Sequence, residues 1–305
     1  MIISVGEILA DLIGKEKNGL VTYERYAGGA PFNVACGLKK LGVKCGFCGC
    51  VGDDLIGDFL AGFAKRQGFD YLCCKKSGER NTTLAFVELD EAGERKFSFF
   101  RKNTADFMLP QEETDTIAQL ADIVHIGSLP LSEKEGRDFA DRLIRKAALA
   151  GKKVSFDVNY RDDIFASEQE AVRIYKKYID LADIVKFSEE EIALFACGQT
   201  VAEMLEDLDA EGKKIIFVTL GAKGSMVSAY GKIYSQPALK IDAVDTTGAG
   251  DAFFAGVLSA LGSGSQDWPA ILRKGNVCGA LTACGKGAID AFPDRDKVEQ
   301  LTDKV

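Results

Sequence analysis

Apolar positions along the chain follow two periods. Short runs at residues 2–5, 44–51, 123–126, 154–158, 184–187 and 215–219 are nearly continuous in apolar and β-branched residues and read as buried strands. Longer segments at 31–41, 55–67, 133–150, 168–181, 189–196, 201–209, 249–261 and 268–284 repeat their apolar positions at helical spacing. Residues 71–75 read as extended. Two polar hairpins stand apart, one over 14–26 turning at Gly19, the other pairing 82–89 with 95–100 about a turn at 90–94. A third hairpin joins 225–229 to 232–235 about Tyr230-Gly231. From residue 123 onward strands and helices alternate strictly, which predicts an α/β chain with a mostly parallel sheet and helices on both faces. The first two hairpins predict a small separate sheet. Ligands of such folds sit beyond the carboxyl ends of the strands, so Gly6, Gly52, Ser128, residues 157–161, Lys186, Thr219 and Gly221 become candidates by position.

Composition narrows this further. The 305 residues are 47% hydrophobic, enough for one large domain with an appendage or for two domains. A net charge of -8 provides no electrostatic footprint for nucleic acid. No run reaches the length of a membrane span, and the first residues lack the basic start of a signal peptide. Nine cysteines, an odd number, without an export signal predict a reducing, cytoplasmic setting. Cys45, Cys48 and Cys50 have spacing that invites a zinc reading. They fall inside a strand, however, and the single His125 is remote, so buried thiols are expected instead.

Chemistry concentrates in two stretches. Val244-Asp245-Thr246-Thr247-Gly248-Ala249-Gly250-Asp251 runs into an apolar helix, and the unpaired N–H groups at such a helix start make an anion site. Asp251 falls in the first turn. The macrodipole alone favours an acid there, but beside a phosphate chain a carboxylate needs a task, and taking a proton from an attacking hydroxyl supplies one. The second stretch is Gly28-Gly29-Ala30-Pro31-Phe32-Asn33. Its diglycine lets a ligand approach the backbone, and Asn33 falls in the first turn of the following helix. Asp11 is an acid in an apolar strand. Two common nucleotide signatures are absent: Phe253 stands where a dinucleotide fingerprint needs glycine, and no Gly-Lys-Ser/Thr triplet occurs.

Together and in this order, the two stretches resemble the ribokinase-like (phosphofructokinase-B type) sugar kinase family. Residues 157–161, 186–191, 219–224 and 285–288 fall in the family's order, so the resemblance covers nearly the whole chain, and the Gly-Gly-Ala-Pro form is most similar to the bacterial and plant fructokinases. It implies a three-layer α/β/α fold over residues 1–305, with a β lid from about 9–26 and 81–101. It implies ATP and a small ketose as substrates, with Mg²⁺ and K⁺ as metals. An isolated small sheet is marginal alone and its exposed face favours pairing, so a homodimer through the lid is expected. Asp251 is expected to be the general base, with N–H groups of Gly248, Ala249 and Gly250 on the transferring phosphoryl. Asp11, Gly28, Gly29, Asn33 and Arg101 are expected at the sugar. Asn159 and Arg161 are expected near the phosphates, and Lys186, Ser188, Thr219, Gly221, Gly224 and Asn276 along the nucleotide. Glu191 is expected to organise Mg²⁺ through water, and Asp245, Thr247, Gly285 and Gly287 to form a monovalent-cation loop. Other branches of the family, 2-keto-3-deoxygluconate kinases, ribokinases and nucleoside kinases, remain alternatives. So does a catalytically silent binding protein.

Overall fold

The computed structural model describes residues 1–89, 95–161 and 163–303, so the turn expected at 90–94 lies outside the described residues. The first half of the chain holds β1 (Ile2–Val5), β2 (Leu9–Lys17), β3 (Leu20–Gly28), α1 (Ala30–Lys40), β4 (Cys45–Gly52), α2 (Leu55–Arg66), β5 (Tyr71–Ser77), β6 (Leu84–Leu89) and β7 (Arg95–Phe100). It continues through α3 (Thr114–Leu120), β8 (Ile123–Ile126), α4 (Lys134–Leu149), β9 (Lys153–Asp157), α5 (Glu168–Leu181), β10 (Ile184–Ser188), α6 (Glu189–Ile192) and α7 (Val201–Leu208). The last part holds β11 (Ile215–Thr219), β12 (Ser225–Ala229), β13 (Lys232–Gln236), α8 (Ala249–Gly262), α9 (Trp268–Ala283) and α10 (Arg295–Thr302).

Among the described residues the strands form two sheets. The larger has the order β13-β12-β11-β10-β9-β8-β1-β4-β5. Its pairings from β11 to β5 are parallel, and the β11–β12 and β12–β13 pairings are antiparallel, so β12 runs against the rest. β1, β4 and β8 are buried along their whole length, which explains their continuous apolar runs. The smaller sheet, β3-β2-β6-β7, contains both polar hairpins. The β2–β3 turn uses Asn18 (φ 55) and Gly19 (φ 74), and the β12–β13 turn Tyr230 (φ 52) and Gly231 (φ 74), the positive pair that two-residue hairpins require.

The chain leaves the large sheet after β1, enters the small sheet at Leu9, and returns through Gly28 directly into α1. That double crossing holds the small sheet at the carboxyl edge of the large one. α8 is buried from Ala252 to Ala260, as an all-round apolar helix must be, and packs beside α1 and α9.

Three elements differ from expectation. α6 ends at Ile192, after the Ser188–Glu191 capping box. α3 and α10 were not legible, because each is short and largely polar; α10 buries only Val298. Cys45, Cys48 and Cys50 are buried, and burial pushes the Cys45 and Cys50 thiols up to about 12, so they pack as small apolar groups. Among the described residues no helix is long and apolar enough to cross a membrane.

Phe254 is fully buried in α8 and meets His125 edge-to-face, with ring centroids 5.3 Å apart. Phe254→Ala should lower unfolding free energy by about 3–5 kcal/mol, read as a lower denaturant midpoint at unchanged slope.

Candidate active site

A cleft of about 690 Å³ opens at the carboxyl ends of the parallel strands. Glu7, Leu9 and Asp11 line it from the β1–β2 crossing, and Gly29, Ala30 and Asn33 from the start of α1. Phe99 of the small sheet faces them. Asp157, Asn159, Arg161, Lys186, Ser188, Glu191 and Thr219 line the opposite side, with residues 243–248, Gly250 and Asp251 at the base of α8.

The starts of α1 and α8 meet inside this cleft. Asn33 Nδ2 donates to Asp251 Oδ2 at 2.8 Å, although the two residues are 218 apart in sequence. Asn33 Oδ1 is buried without a partner. Burial pushes the Asp251 carboxyl above its ordinary value, while the Asn33 hydrogen bond, Lys186 and Arg161 pull against that. Gly248, the N-cap of α8, has φ 75, and a Cβ there would come within 2.5 Å of Ala288 Cβ, so only glycine fits. Gly29 has φ 111, and a Cβ on it would stand 2.5 Å from the Glu7 carbonyl oxygen. Of the three amides expected to face an anion, that of Ala249 instead donates to the Thr246 carbonyl at 3.1 Å. The first backbone acceptor within the turn of α8 is Gly248 O, bound by Ala252, which leaves the Gly250 and Asp251 N–H groups at the open helix end.

On the far side, Lys186 Nζ reaches both Asp157 oxygens at 2.8 and 3.0 Å. Burial opposes the Lys186 charge, but Asp157 and Glu191 outweigh it, and its pKa rises. Burial also pushes Asp157 up to about 6, against the pull of Lys186. We take the pair as an ion pair, since one ammonium donates to both oxygens of the carboxylate. Glu191 accepts from Tyr160 N at 2.8 Å and Ser188 N at 2.7 Å, so backbone holds its carboxylate at the cleft wall. Ser188 Oγ accepts from Glu191 N at 3.2 Å, and Thr219 Oγ1 donates to Phe187 O at 3.3 Å. Asn159 adopts φ 37, and the Arg161 guanidinium donates to Tyr160 O at 2.7 Å.

Asp245 binds two loops together, accepting from Thr247 N and Gly287 N, both at 2.9 Å. Gly285 packs behind them against Ala291. Gly28 packs against Asp11, whose Oδ2 stands where a Cβ would be. Eight expected residues do not line the cleft: Gly28, Ala249, Gly285 and Gly287, placed above, and Arg101, Asn276, Gly224 and Gly221. Arg101 is 8% exposed and lines a neighbouring pocket; its guanidinium pairs with Asp106 and donates to Ser132 Oγ at 2.8 Å. Asn276 uses its amide on the Gln236 and Pro237 carbonyls, at 3.2 and 3.1 Å, and accepts from Ser225 Oγ at 2.8 Å. It ties α9 to β13 and does not line the cleft. Gly224 is buried against Gln236, and Gly221 is exposed in the turn after β11.

The pattern reading passed over Glu7. It is 0% exposed, and both carboxylate oxygens are buried without a hydrogen-bond partner. Burial pushes its carboxyl up to about 8. Its own backbone N–H, which does not reach hydrogen-bond geometry, and the Arg101 charge pull against this; Asp106 and Asp251 add to it. A lone Glu after a strand carries no periodic signal. Only its position at a strand end marked it, through the adjacent Gly6.

An open α/β sheet with a carboxylate at an amide-rich helix start defines the small-molecule kinase class of site. The family model described as pfkB family carbohydrate kinase matches residues 1–295, and the chain belongs to that family. It is similar to the fructokinase of Vibrio alginolyticus, with 34% identity covering 96% of each chain. Among solved structures it is similar to an ATP-bound fructokinase from Xylella fastidiosa (TM-score 0.89, 29% identity, covering 99% of this chain and 98% of that one). It is also similar to a fructokinase double mutant from Vibrio cholerae O395 in its fructose-, ADP- and potassium-ion-bound form (TM-score 0.87, 30% identity, covering 99% and 97%).

The Glu7 carboxyl, at about 8, lies above its ordinary 4.5, so the native chain holds a proton that the unfolded chain releases. The stabilisation from that proton is complete below pH 4.5 and is lost as pH rises to about 8. Relative to Glu7→Gln, the wild type should lose up to about 1.4 kcal/mol per pH unit across that window. Denaturant titrations near the two ends measure this. A difference between the two proteins that stays constant with pH would show Glu7 ionised at neutrality.

Proposed function

We propose that this protein transfers the γ-phosphoryl group of ATP to a hydroxyl of a small ketose, D-fructose. The observation that carries this is the Asp251 carboxylate, held by Asn33 at the open end of α8 on the floor of the cleft. Fructokinases among its relatives, including one holding fructose and ADP, support the choice of sugar.

In this reading the acceptor hydroxyl lies against Asp251. Burial raises the proton affinity of the carboxylate, and Asn33 occupies one of its oxygens. The base takes the hydroxyl proton as the oxygen attacks the γ-phosphorus, and the bond from that phosphorus to the β–γ bridging oxygen breaks, releasing ADP. The Gly250 and Asp251 amides, with the α8 dipole, meet the charge on the transferring group. Asp11, Gly29 and Asn33 hold the sugar, while Asn159, Arg161, Lys186, Ser188 and Thr219 line the path of the nucleotide.

The cleft is rich in acids, with Asp11, Asp157, Glu191 and Asp251 against Arg161 and Lys186. A polyphosphate there needs a divalent cation. Among the described residues no group of three or more His, Cys, Asp or Glu side chains could hold a metal unaided, which fits Mg²⁺ completed by phosphates and water. Glu191 is the residue that would hold it, and the ion would supply neutralisation of phosphate charge. The Asp245–Thr247 loop, tied to Gly287, offers the hard oxygens that suit K⁺. The small sheet, reaching the cleft through Phe99, serves as a lid that keeps water from competing as acceptor. With its cysteines free, Cys197 and Cys284 at the surface among them, the chain suits a reducing cytoplasm.

Turnover with ATP and Mg²⁺ should be greatest for fructose when it is compared with ribose, 2-keto-3-deoxygluconate and adenosine. Coupled ADP release measures this, and preference for another acceptor overturns the substrate. Asp251→Ala should lower kcat by about 10²–10⁴ while ATP binding by calorimetry persists; near-normal turnover removes the base assignment.

The small sheet exposes Val21, Tyr23 and Phe100 (47%, 41% and 59%), with Tyr23 and Phe100 both against the Phe86 ring, an apolar face that suits pairing of two copies. Light scattering should report a dimer that Val21→Glu/Phe100→Glu converts to monomer; a monomeric wild type excludes the pairing.

A further inference from the structure

We propose that Asp106 is a positioning residue that sets where the small sheet carries Phe99 over the cleft, an inference that rests on the sugar-kinase reading above. Asp106 is buried, and its carboxylate accepts from Thr83, Thr104 and Arg101. The Thr83 hydroxyl, at the root of β6, and the Thr104 hydroxyl, at 2.6 Å, both donate to Oδ1. Arg101, at the end of β7, donates to Oδ2 through Nε at 2.9 Å and through Nη2. Its Nη1 donates onward to Ser132 Oγ at 2.8 Å, and that hydroxyl donates to Leu129 O at 3.0 Å. One carboxylate thus joins both roots of the β6–β7 hairpin and, through Arg101, ties them to the turn after β8 (Leu129–Ser132).

The clamp lies on the hairpin face that looks over the cleft. Ala85 pairs with Phe99 across β6 and β7, so Thr83 and Arg101, each one pleat further out, continue the same face. Phe99 lines the cleft and packs with Leu9, Ala85 and Leu129, and Leu9 and Leu129 line it as well. Asp106 therefore fixes Phe99 from both strands, and fixes it against the turn that carries Leu129. Stability does not call for a charged pair here, because a buried ion pair adds little over apolar packing of the same volume. What the pair supplies is direction: a forked guanidinium on a planar carboxylate sets the distance and angle between the two roots. The Phe107 ring, 4.3 Å from the Arg101 guanidinium carbon, supports its plane. A small displacement of a group that positions the acceptor is costly to turnover, so the clamp acts on the reaction through Phe99 without touching substrate.

The test measures the KM for fructose, the KM for ATP and the Tm in variants of the whole chain. Ser132→Ala cuts the tie to the β8 turn and leaves the Arg101–Asp106 pair in place. Thr83→Val keeps volume and cuts the tie to β6. Each should raise the fructose KM about fivefold, leave the ATP KM within about twofold, and lower Tm by no more than about 4 °C. Ser132→Thr keeps the hydroxyl and should hold the fructose KM within about twofold of wild type. Asp106→Asn should raise the fructose KM beyond either single cut, and a value no higher than wild type overturns the proposal. A clamp that only stabilises the fold would lower Tm and leave the fructose KM unchanged. That result in Ser132→Ala and Thr83→Val overturns the proposal, as does a rise in both KM values together. If Asp106→Asn does not fold, these two variants decide. A wild type that turns over no sugar defeats the kinase reading and this inference together, whereas an active wild type matched by Ser132→Ala and Thr83→Val defeats this inference alone.

Discussion

The contact between Asn33 and Asp251 is the constraint on which the site depends. It joins the first turns of two helices that belong to distant parts of the chain. Both turns must be stripped of side chains to approach: Gly29 before α1 and Gly248 before α8 hold positive φ in spaces that admit no Cβ. Once they meet, two amide-rich helix ends converge on one volume, and a carboxylate is fixed where their dipoles favour negative charge. The crossing of the chain between the two sheets then brings Asp11 and Phe99 over the same volume.

The electrostatics of the cleft follow from burial. Asp251, Asp157 and Glu7 are all pushed toward the protonated form by loss of water, and different neighbours oppose that push at each. Lys186 answers Asp157, Asn33 answers Asp251, and nothing answers Glu7. Glu191 stands apart, with backbone amides from two segments on its carboxylate. An arrangement of this kind weakens the empty fold and becomes favourable only with a charged or hydroxylated ligand in place, as expected of a binding site.

Much of this was legible residue by residue. The continuous apolar runs of β1, β8, β10 and β11 exposed the parallel sheet, and Asn18-Gly19 and Tyr230-Gly231 exposed two hairpins, because these signals are local. Asp251 and Asn33 could be found because each sits in a first helical turn after glycines. Glu7, Asn276 and Arg101 were harder for one shared reason. Each is polar and buried, and its role depends on which neighbours satisfy it. Asn276 is consumed by the Gln236 and Pro237 carbonyls and Arg101 by Asp106, while Glu7 is left unsatisfied.

The order of residues thus determined the periodicity of each element, the placing of glycine before α1 and α8, and the supply of acids along the strand ends. These depend on backbone sterics and on burial of apolar faces within short windows. The tertiary structure alone decided which polar groups find partners: that Ala249 turns its amide to Thr246, that Asp245 binds Gly287, and that the buried Glu7 carboxyl has no hydrogen-bond partner. Hydrogen bonds and desolvation act across space between residues far apart in the chain, and no local pattern encodes that proximity.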